Sequence, residues 1–330
     1  MNALDLTIEH GQTIFVIGTH VSLHAFLDEL LATPRDDFRL VIANQTGCAL
    51  SLADARVIEF DLNTDYRPLI SHVLGTVRPL GCVFGWPRLL PVELINAFDG
   101  RLFNLHSGDL PRYRGAGGGS WQVLNGELEI TAHIQQMLLA LDRGPLLFGE
   151  TGSFGILTPY PKDVKAAAGR AAERVAKRLA VMMRAGAQVL PQIQDEKRAT
   201  YFPRLRTEEN GWIDFSWSAL DMERFIRAFS DPYCGAAFKY REDTYRVRRA
   251  SIREQIVLHP FCTGLVVNNS EKSVDIVARD GILTYSEIVD QSGSSLPGHY
   301  FREGARFWSE PAQLRFSQGF RPKVNPLELK

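Results

Sequence analysis

The chain is poor in cysteine. Cys48, Cys82, Cys234 and Cys262 are the only four in 330 residues, and no two stand in a CxxC pair. Such spacing offers neither a zinc site nor a redox dithiol, so buried reduced thiols are expected. Charge of one sign is also lacking. Thirty-seven Lys and Arg meet 38 Asp and Glu, a formal net charge of −1. That argues against strong nucleic-acid binding, which needs a basic surface, while leaving a local basic patch open. No apolar run reaches the roughly 18 residues that a membrane span requires. The start, MNALDLTIEHG, has neither the basic residues nor the apolar stretch of a signal peptide. A cytoplasmic protein is the expectation. The segment Val16-Ile17-Gly18-Thr19-His20 carries one glycine where a dinucleotide fingerprint needs G-x-G-x-x-G, and no H-E-x-x-H occurs. Neither NAD nor a metal is therefore expected.

What is present is ordinary globular material, 45% hydrophobic and 23% charged, enough for two domains. The first half alternates strand-like and helix-like segments. Thr13 to Ile17, Phe38 to Ala43, Arg56 to Phe60, Gly81 to Phe84 and Leu102 to Leu105 read as strands. His20 to Leu31, Tyr66 to Val77 and Val92 to Ala97 read as helices between them. Alternation of this kind predicts an α/β fold, a mostly parallel sheet with helices on both faces and ligands at the carboxyl ends of its strands. Ser120 to Leu124 starts a further helix, and Ile130 to Met137 and Pro145 to Gly149 read as strands. Asp163 to Arg184 is the clearest helix, with Val164, Ala168, Ala171, Val175, Leu179 and Met182 stepping by three or four, and Gly186 as its stop. The character changes near Gln192. Residues 198–210 read as a polar linker, which divides the chain into 1–197, the linker, and 211–330. Ser218 and Asp221 open a helix as a capping box does. Beyond Pro232 come short strands and turns, a smaller β-rich unit patterned like a barrel. Residues 291–330 have no clean periodicity.

The chemistry concentrates in Phe103 to Gly149, FNLHSGDLPRYRGAGGGSWQVLNGELEITAHIQQMLLALDRGPLLFG. Asn104 and His106 are two apart on an extended segment, so they share a face. A loop with five glycines and one proline follows, and Asp142 sits in a later turn. Acyl transfer to an amine needs a group to take a proton, a donor to hold the oxyanion, and a carboxylate to orient the imidazole. Asn, His and Asp supply these without a nucleophilic Ser or Cys, which implies direct transfer. Each has an ordinary alternative: a structural histidine, a turn-capping asparagine, a plain loop.

The combination NLHSGDLPRYRG, then ITAHIQQM, then LDRGPLL resembles the signature of the 10-formyltetrahydrofolate-dependent formyltransferases, with the pattern N-x-H-x-S/G-x-x-P-x-x-R-G followed by (L/I)-D-x-G-x-(I/L). The resemblance runs on through ATYFPRL, WIDF, FIRAFSDPYCGAAF and YRVRRA, and covers roughly residues 80 to 300. It implies a Rossmann-like catalytic domain with a smaller barrel-like C-terminal domain. It also implies 10-formyltetrahydrofolate as co-substrate and Asn104, His106 and Asp142 as catalytic residues. By position, the donor would lie against Phe84, Gly85, Trp86, Arg88, Leu89 and Leu90 and against Leu139 and Leu141. The acceptor would lie against Ser107, Gly108, Arg112, Arg114 and Gly115. Some sugar enzymes of this kind dimerise through their C-terminal region, which makes a homodimer an expectation by analogy.

The chain departs from the common pattern at several points. Gly108 stands where many members have leucine, which would enlarge the acceptor side. His133 replaces the usual threonine and either packs or faces the site. Gly117-Gly118-Gly119 either lends N–H groups to a phosphate ahead of the Ser120 helix or is only a loop. The acceptor is the open question. A methionyl-tRNA enzyme would carry a basic loop after the second strand, but Ala43 to Leu50 has no Lys or Arg. Arg246, Arg248, Arg249 and Arg253 form the one local basic cluster of the second unit, and an exposed strand face explains it equally. A nucleotide-linked amino sugar fits better, with Arg112 or Arg114 on its diphosphate, unless Arg114 instead fixes the loop. Formylation of a siderophore hydroxyornithine is the third alternative.

Overall fold

A computed structural model describes residues 3–18, 21–32, 38–44, 57–61 (backbone only) and 65–319. The first sheet is built from β1 (Gln12–Gly18), β2 (Phe38–Asn44), β3 (Val57–Asp61), β4 (Leu80–Phe84), β5 (Leu102–Ser107), β6 (Glu129–Gln136) and β7 (Leu146–Ser153). Its order is β3-β2-β1-β4-β5-β6-β7. The five strands from β3 to β5 run parallel, and β6 and β7 add antiparallel pairings at one edge. The chain works outward from β1 to β3 and then returns to β1's other side with β4. Ligand crevices form at such reversals, beyond the carboxyl ends of the strands.

The strands are apolar on both faces because both are covered. On one face α1 (Val21–Leu31) and the 24-residue α5 (Pro161–Arg184) pack on Ile14, Val16, Phe84, Phe103, Leu105 and Ile134. On the other, α2 (Arg67–Leu74) and α3 (Val92–Ala97), whose ranges precede α4 (Ser120–Leu124), pack on Phe15, Ile17, Val83 and Leu102. The stepped apolar positions of α5 are its buried stripe; Val164, Ala171, Val175 and Leu179 are fully enclosed. The helix ends at Ala185, and Gly186 follows at φ 63°, the left-handed stop that favours glycine. Cys82 is buried in this core, which pushes its thiol pKa well up, while Cys234 and Cys262 are only partly buried; Cys48 lies outside the described residues. His20, Arg56 and residues 45–50 of the expected basic loop also lie outside them.

The second sheet is antiparallel. It orders β10 (Val266–Asn269), β11 (Ser273–Ala278), β12 (Gly281–Val289), β9 (Asp243–Glu254), β8 (Ala236–Tyr240) and β13 (Phe307–Trp308). β13 also returns to the first of these. Leu265 bridges Arg306, Val266 N–H donates to Ala305 O and Phe307 N–H to Gly264 O, each at 2.8 Å. Those bonds give the barrel character that the turn pattern suggested. Inside lie Phe238, Tyr240, Tyr245, Tyr285, Phe301 and Phe307, while α6 (Ala219–Ala228), capped by Ser218 at Asp221 N–H, covers one side. Part of the tail is thus structural: residues 305–308 seal the barrel, and α7 (Pro311–Gln318) follows. Among the described residues no helix is long and apolar enough to cross a membrane.

Candidate active site

Alternation along β5 positions the chemistry. Phe103 and Leu105 face the α1/α5 core, so Asn104 and His106 face the other way. In the antiparallel pairing with β6, Asn104 lies opposite Gln135 and His106 opposite His133. Directly opposed residues share a face. Four polar side chains therefore line one patch at the strand ends.

Asp142 joins them from the turn between β6 and β7. Its φ is 52°, a left-handed conformation that Asp tolerates better than most residues. A Cβ on Gly144 would sit 1.6 Å from Gln136 O, so the turn closes against β6 only with glycine there. This is the physical content of the D-x-G spacing. The Asp142 carboxylate accepts from Gly115 N–H at 2.8 Å and from the Gln135 amide at 2.9 Å. Its Oδ1 lies 3.6 Å from His106 Nδ1, an electrostatic contact rather than a full hydrogen bond.

His106 is buried, and its Nε2–H donates to Tyr113 O at 2.7 Å. A carbonyl can only accept, so Nε2 carries the proton and Nδ1 is the nitrogen left facing Asp142. His106 Nε2 is thereby committed to the Tyr113 carbonyl. The Asn104 amide has no hydrogen-bond partner among the described residues and is half-buried, an uncommitted donor at the strand end.

The acceptor-side expectations divide. Arg114 does not reach outward: it is 3% exposed, and its guanidinium donates to Gln194 Oε1 at 2.9 and 3.1 Å and to the Glu196 carboxylate at 2.7 and 2.9 Å. Gln194 in turn donates to Asp142 O and Gly144 O at 2.9 and 2.7 Å. Arg114 thus holds the Asp142 turn, which is the structural alternative. Gly108 does not widen the site either. A Cβ there would lie 2.8 Å from His106 Nε2 and 2.9 Å from Tyr113 O, so glycine makes room for the imidazole's own hydrogen bond. Gly115, at φ 77°, offers its N–H to Asp142 and is crowded by Tyr201 and Phe202. Arg112 is 43% exposed and pairs with Asp109 and Glu127. Ser107 is half-buried at the end of β5. The Gly117–Gly119 run leads into a helix of only five residues whose Ser120 hydroxyl donates to Ala228 O; it is packed as a loop.

On the donor side Phe84 packs its ring on Phe26 inside the core, leaving only its backbone for a ligand. Gly85 follows at φ 61°. Trp86 packs on the α2/α3 cluster and donates its indole N–H to Tyr66 Oη at 3.0 Å. Leu90 is buried there too, Arg88 is exposed and Leu141 half-buried. Leu89, Leu138 and Leu139 are 41%, 42% and 54% exposed, the last two shortly before Asp142 in the chain. Gln135, Gln194, Glu196 and Tyr113, which position the triad, escape sequence reading. So does the linker's part: Tyr201–Phe202 pairs in parallel with Arg114–Gly115. Among the described residues no group of three or more His, Cys, Asp or Glu is placed to hold a metal.

Comparison with known proteins identifies the family. The model for the formyl transferase family matches residues 13–153, and that for the formyl transferase C-terminal domain matches residues 206–306. Methionyl-tRNA formyltransferase from Rickettsia bellii is 26% identical over 222 residues, 67% of this chain and 69% of that one. In fold, the chain is similar to the N-formyltransferase of Helicobacter canadensis, crystallised with folinic acid and dTDP-3-aminofucose. The TM-score is 0.62 at 14% identity, over 83% of this chain and 99% of that one. A sugar N-formyltransferase from a Shewanella species gives 0.56 at 16% identity, over 72% and 96%.

Proposed function

The chain belongs to the formyl transferase family and carries both of its domains, and from that premise we propose that it moves the formyl group of 10-formyltetrahydrofolate to the amine of a nucleotide-linked amino sugar. The observation that carries the chemistry is the meeting of a free Asn104 amide with the His106–Asp142 pair at the end of β5. The exposed Leu138 and Leu139, shortly before Asp142 in the chain, and the exposed Leu89 offer apolar surface that would suit the flat pterin of the donor.

In this reading the acceptor's neutral amine attacks the formyl carbon and forms the new C–N bond. The Asn104 amide donates to the developing oxyanion, a contribution of about 3–4 kcal/mol for such a donor. As the bond from that carbon to folate N10 breaks, the amine's surplus proton leaves and N10 gains one, which gives the formamide and tetrahydrofolate. His106 Nδ1 and the Asp142 carboxylate flank the path of that proton, while Gly115, Gln135 and Gln194 hold Asp142 still. Fixed geometry supplies much of the rate.

The acceptor class rests on charge and on fold likeness. The Helicobacter canadensis enzyme was crystallised with an amino sugar linked to dTDP. Here Arg112 is half-exposed, and Arg198 is close enough to help lower the Asp109 carboxyl, so the two replace Arg114 as the cations nearest a diphosphate. The tRNA alternative draws on the sequence relatives. Against it, Arg246, Arg248, Arg249 and Arg253 are committed to Gly235 O, Cys234 O, Glu287 and Asp275. The test is a panel of UDP-, GDP- and dTDP-linked amino sugars, hydroxyornithine and methionyl-tRNA, each mixed with enzyme and 10-formyltetrahydrofolate and read by mass spectrometry. A formylated sugar nucleotide is expected; formylated tRNA would overturn the acceptor assignment.

A further inference from the structure

His133 is a histidine the reaction has not used. It stands opposite His106 on β6 and opposite Gly149 on β7. A Cβ on Gly149 would lie 2.5 Å from His133 Nδ1, so the glycine provides the notch in which the ring lies. The side chain is 13% exposed, and its Nε2 is buried with no hydrogen-bond partner among the described residues. A buried polar atom left unpaired is costly, and a packed apolar residue would avoid the cost. Asp109 Oδ1, from the loop beyond His106, lies 3.9 Å from Nε2, too far for a direct bond. Even so, His133 is the chief influence lowering the Asp109 carboxyl, with Arg112 and Arg198 adding to it against partial burial.

Resting on the formyltransferase reading of this site, we propose that His133 and Asp109 form a second imidazole–carboxylate pair that grips a hydrogen-bonding group of the acceptor next to its reacting amine. An oxygen about 2.8 Å from both atoms would bridge them at an angle of about 90°, compatible with a hydroxyl that accepts from His133 Nε2–H and donates to the Asp109 carboxylate. His133 stands next to His106 in the sheet, and in this reading the pair meets the acceptor. His133 is a specificity-determining residue: it holds the acceptor and does not move its proton.

The test compares two reactions of the same enzyme. One is transfer to whichever amine the panel shows to be formylated. The other is slow release of formate from 10-formyltetrahydrofolate to water with no acceptor present. His133→Ala and Asp109→Asn should raise the acceptor KM by about 10–100-fold, the scale of a lost charge-assisted hydrogen bond. Donor KM and formate release should stay within about twofold, and His133→Gln should recover most of the acceptor KM by restoring a donor. An unchanged acceptor KM in His133→Ala would overturn the proposal. So would a parallel fall in formate release, which would mark a role at the reacting centre or in the fold. If methionyl-tRNA is the amine formylated, the acceptor assignment fails, while the same comparison run with tRNA still decides His133.

Discussion

Replacing Arg114 by alanine separates a residue that holds the site from one that touches substrate. The guanidinium gives Gln194 Oε1 both of its donors, and Gln194 is 5% exposed. Loss of Arg114 leaves that buried carbonyl oxygen unpaired, at a cost of about 1–3 kcal/mol. The bonds to Glu196 add little, because that carboxylate is in solvent and an exposed pair is weak. The catalytic domain should therefore melt several degrees lower. Gln194 also holds Asp142 O and Gly144 O, so kcat should fall by roughly 10–100-fold as the carboxylate loses its place. Acceptor and donor KM should both change little. Thermal unfolding and steady-state kinetics on the same preparation check this. Unchanged stability together with a large rise in acceptor KM alone would refute the reasoning and return Arg114 to the diphosphate.

The remaining expectations follow the same geometry. Asn104→Ala should lower kcat by about 10²–10³-fold, with Tm unchanged since its amide holds no other group among the described residues; circular dichroism melts and kinetics decide. Gly108→Ala should impair turnover without touching the donor subsite, because the new methyl collides with the His106–Tyr113 bond; a normal kcat would contradict that packing. Tyr285→Phe should leave stability equal or raise it by about 1 kcal/mol, since the buried hydroxyl has no partner in the barrel; urea unfolding measures it. The Glu196 carboxyl is lowered chiefly by its hydrogen bond from Arg114. The unfolded state therefore binds more protons in that window, and stability rises with pH there. The contribution is complete above the usual glutamate range and is lost as pH falls through the lowered value. Arg114→Ala should flatten the stability profile in the acid limb below the usual glutamate range.

The parts of this molecule that read directly from sequence are those governed by one local rule. The α5 stripe and the Ser218 cap each follow from periodicity or from a single side-chain bond. Asn104, His106 and Asp142 were legible as types and spacing, and the structure brings all three to one patch. Long-range pairing was not legible. Two-residue strands such as Phe307–Trp308 are too short to alternate, so the closure of the barrel left no pattern in the tail. The linker looked merely polar, yet Tyr201–Phe202 borders the active-site loop through backbone bonds that any residue can make. Arg114 was ambiguous because an arginine reads alike whether it meets a phosphate or a buried Gln–Glu pair. Gly108 looked like spare room, and it is instead the space taken by a neighbouring imidazole.

The most direct test of the central claim, one-step formyl transfer at Asn104, His106 and Asp142, follows ¹³C from labelled 10-formyltetrahydrofolate. Wild-type enzyme should place the label in the acceptor's new formamide, with one tetrahydrofolate released per formamide. His106→Ala and Asp142→Ala should remain folded and transfer none. Label found on the protein itself, or near-normal transfer by either variant, would contradict the account.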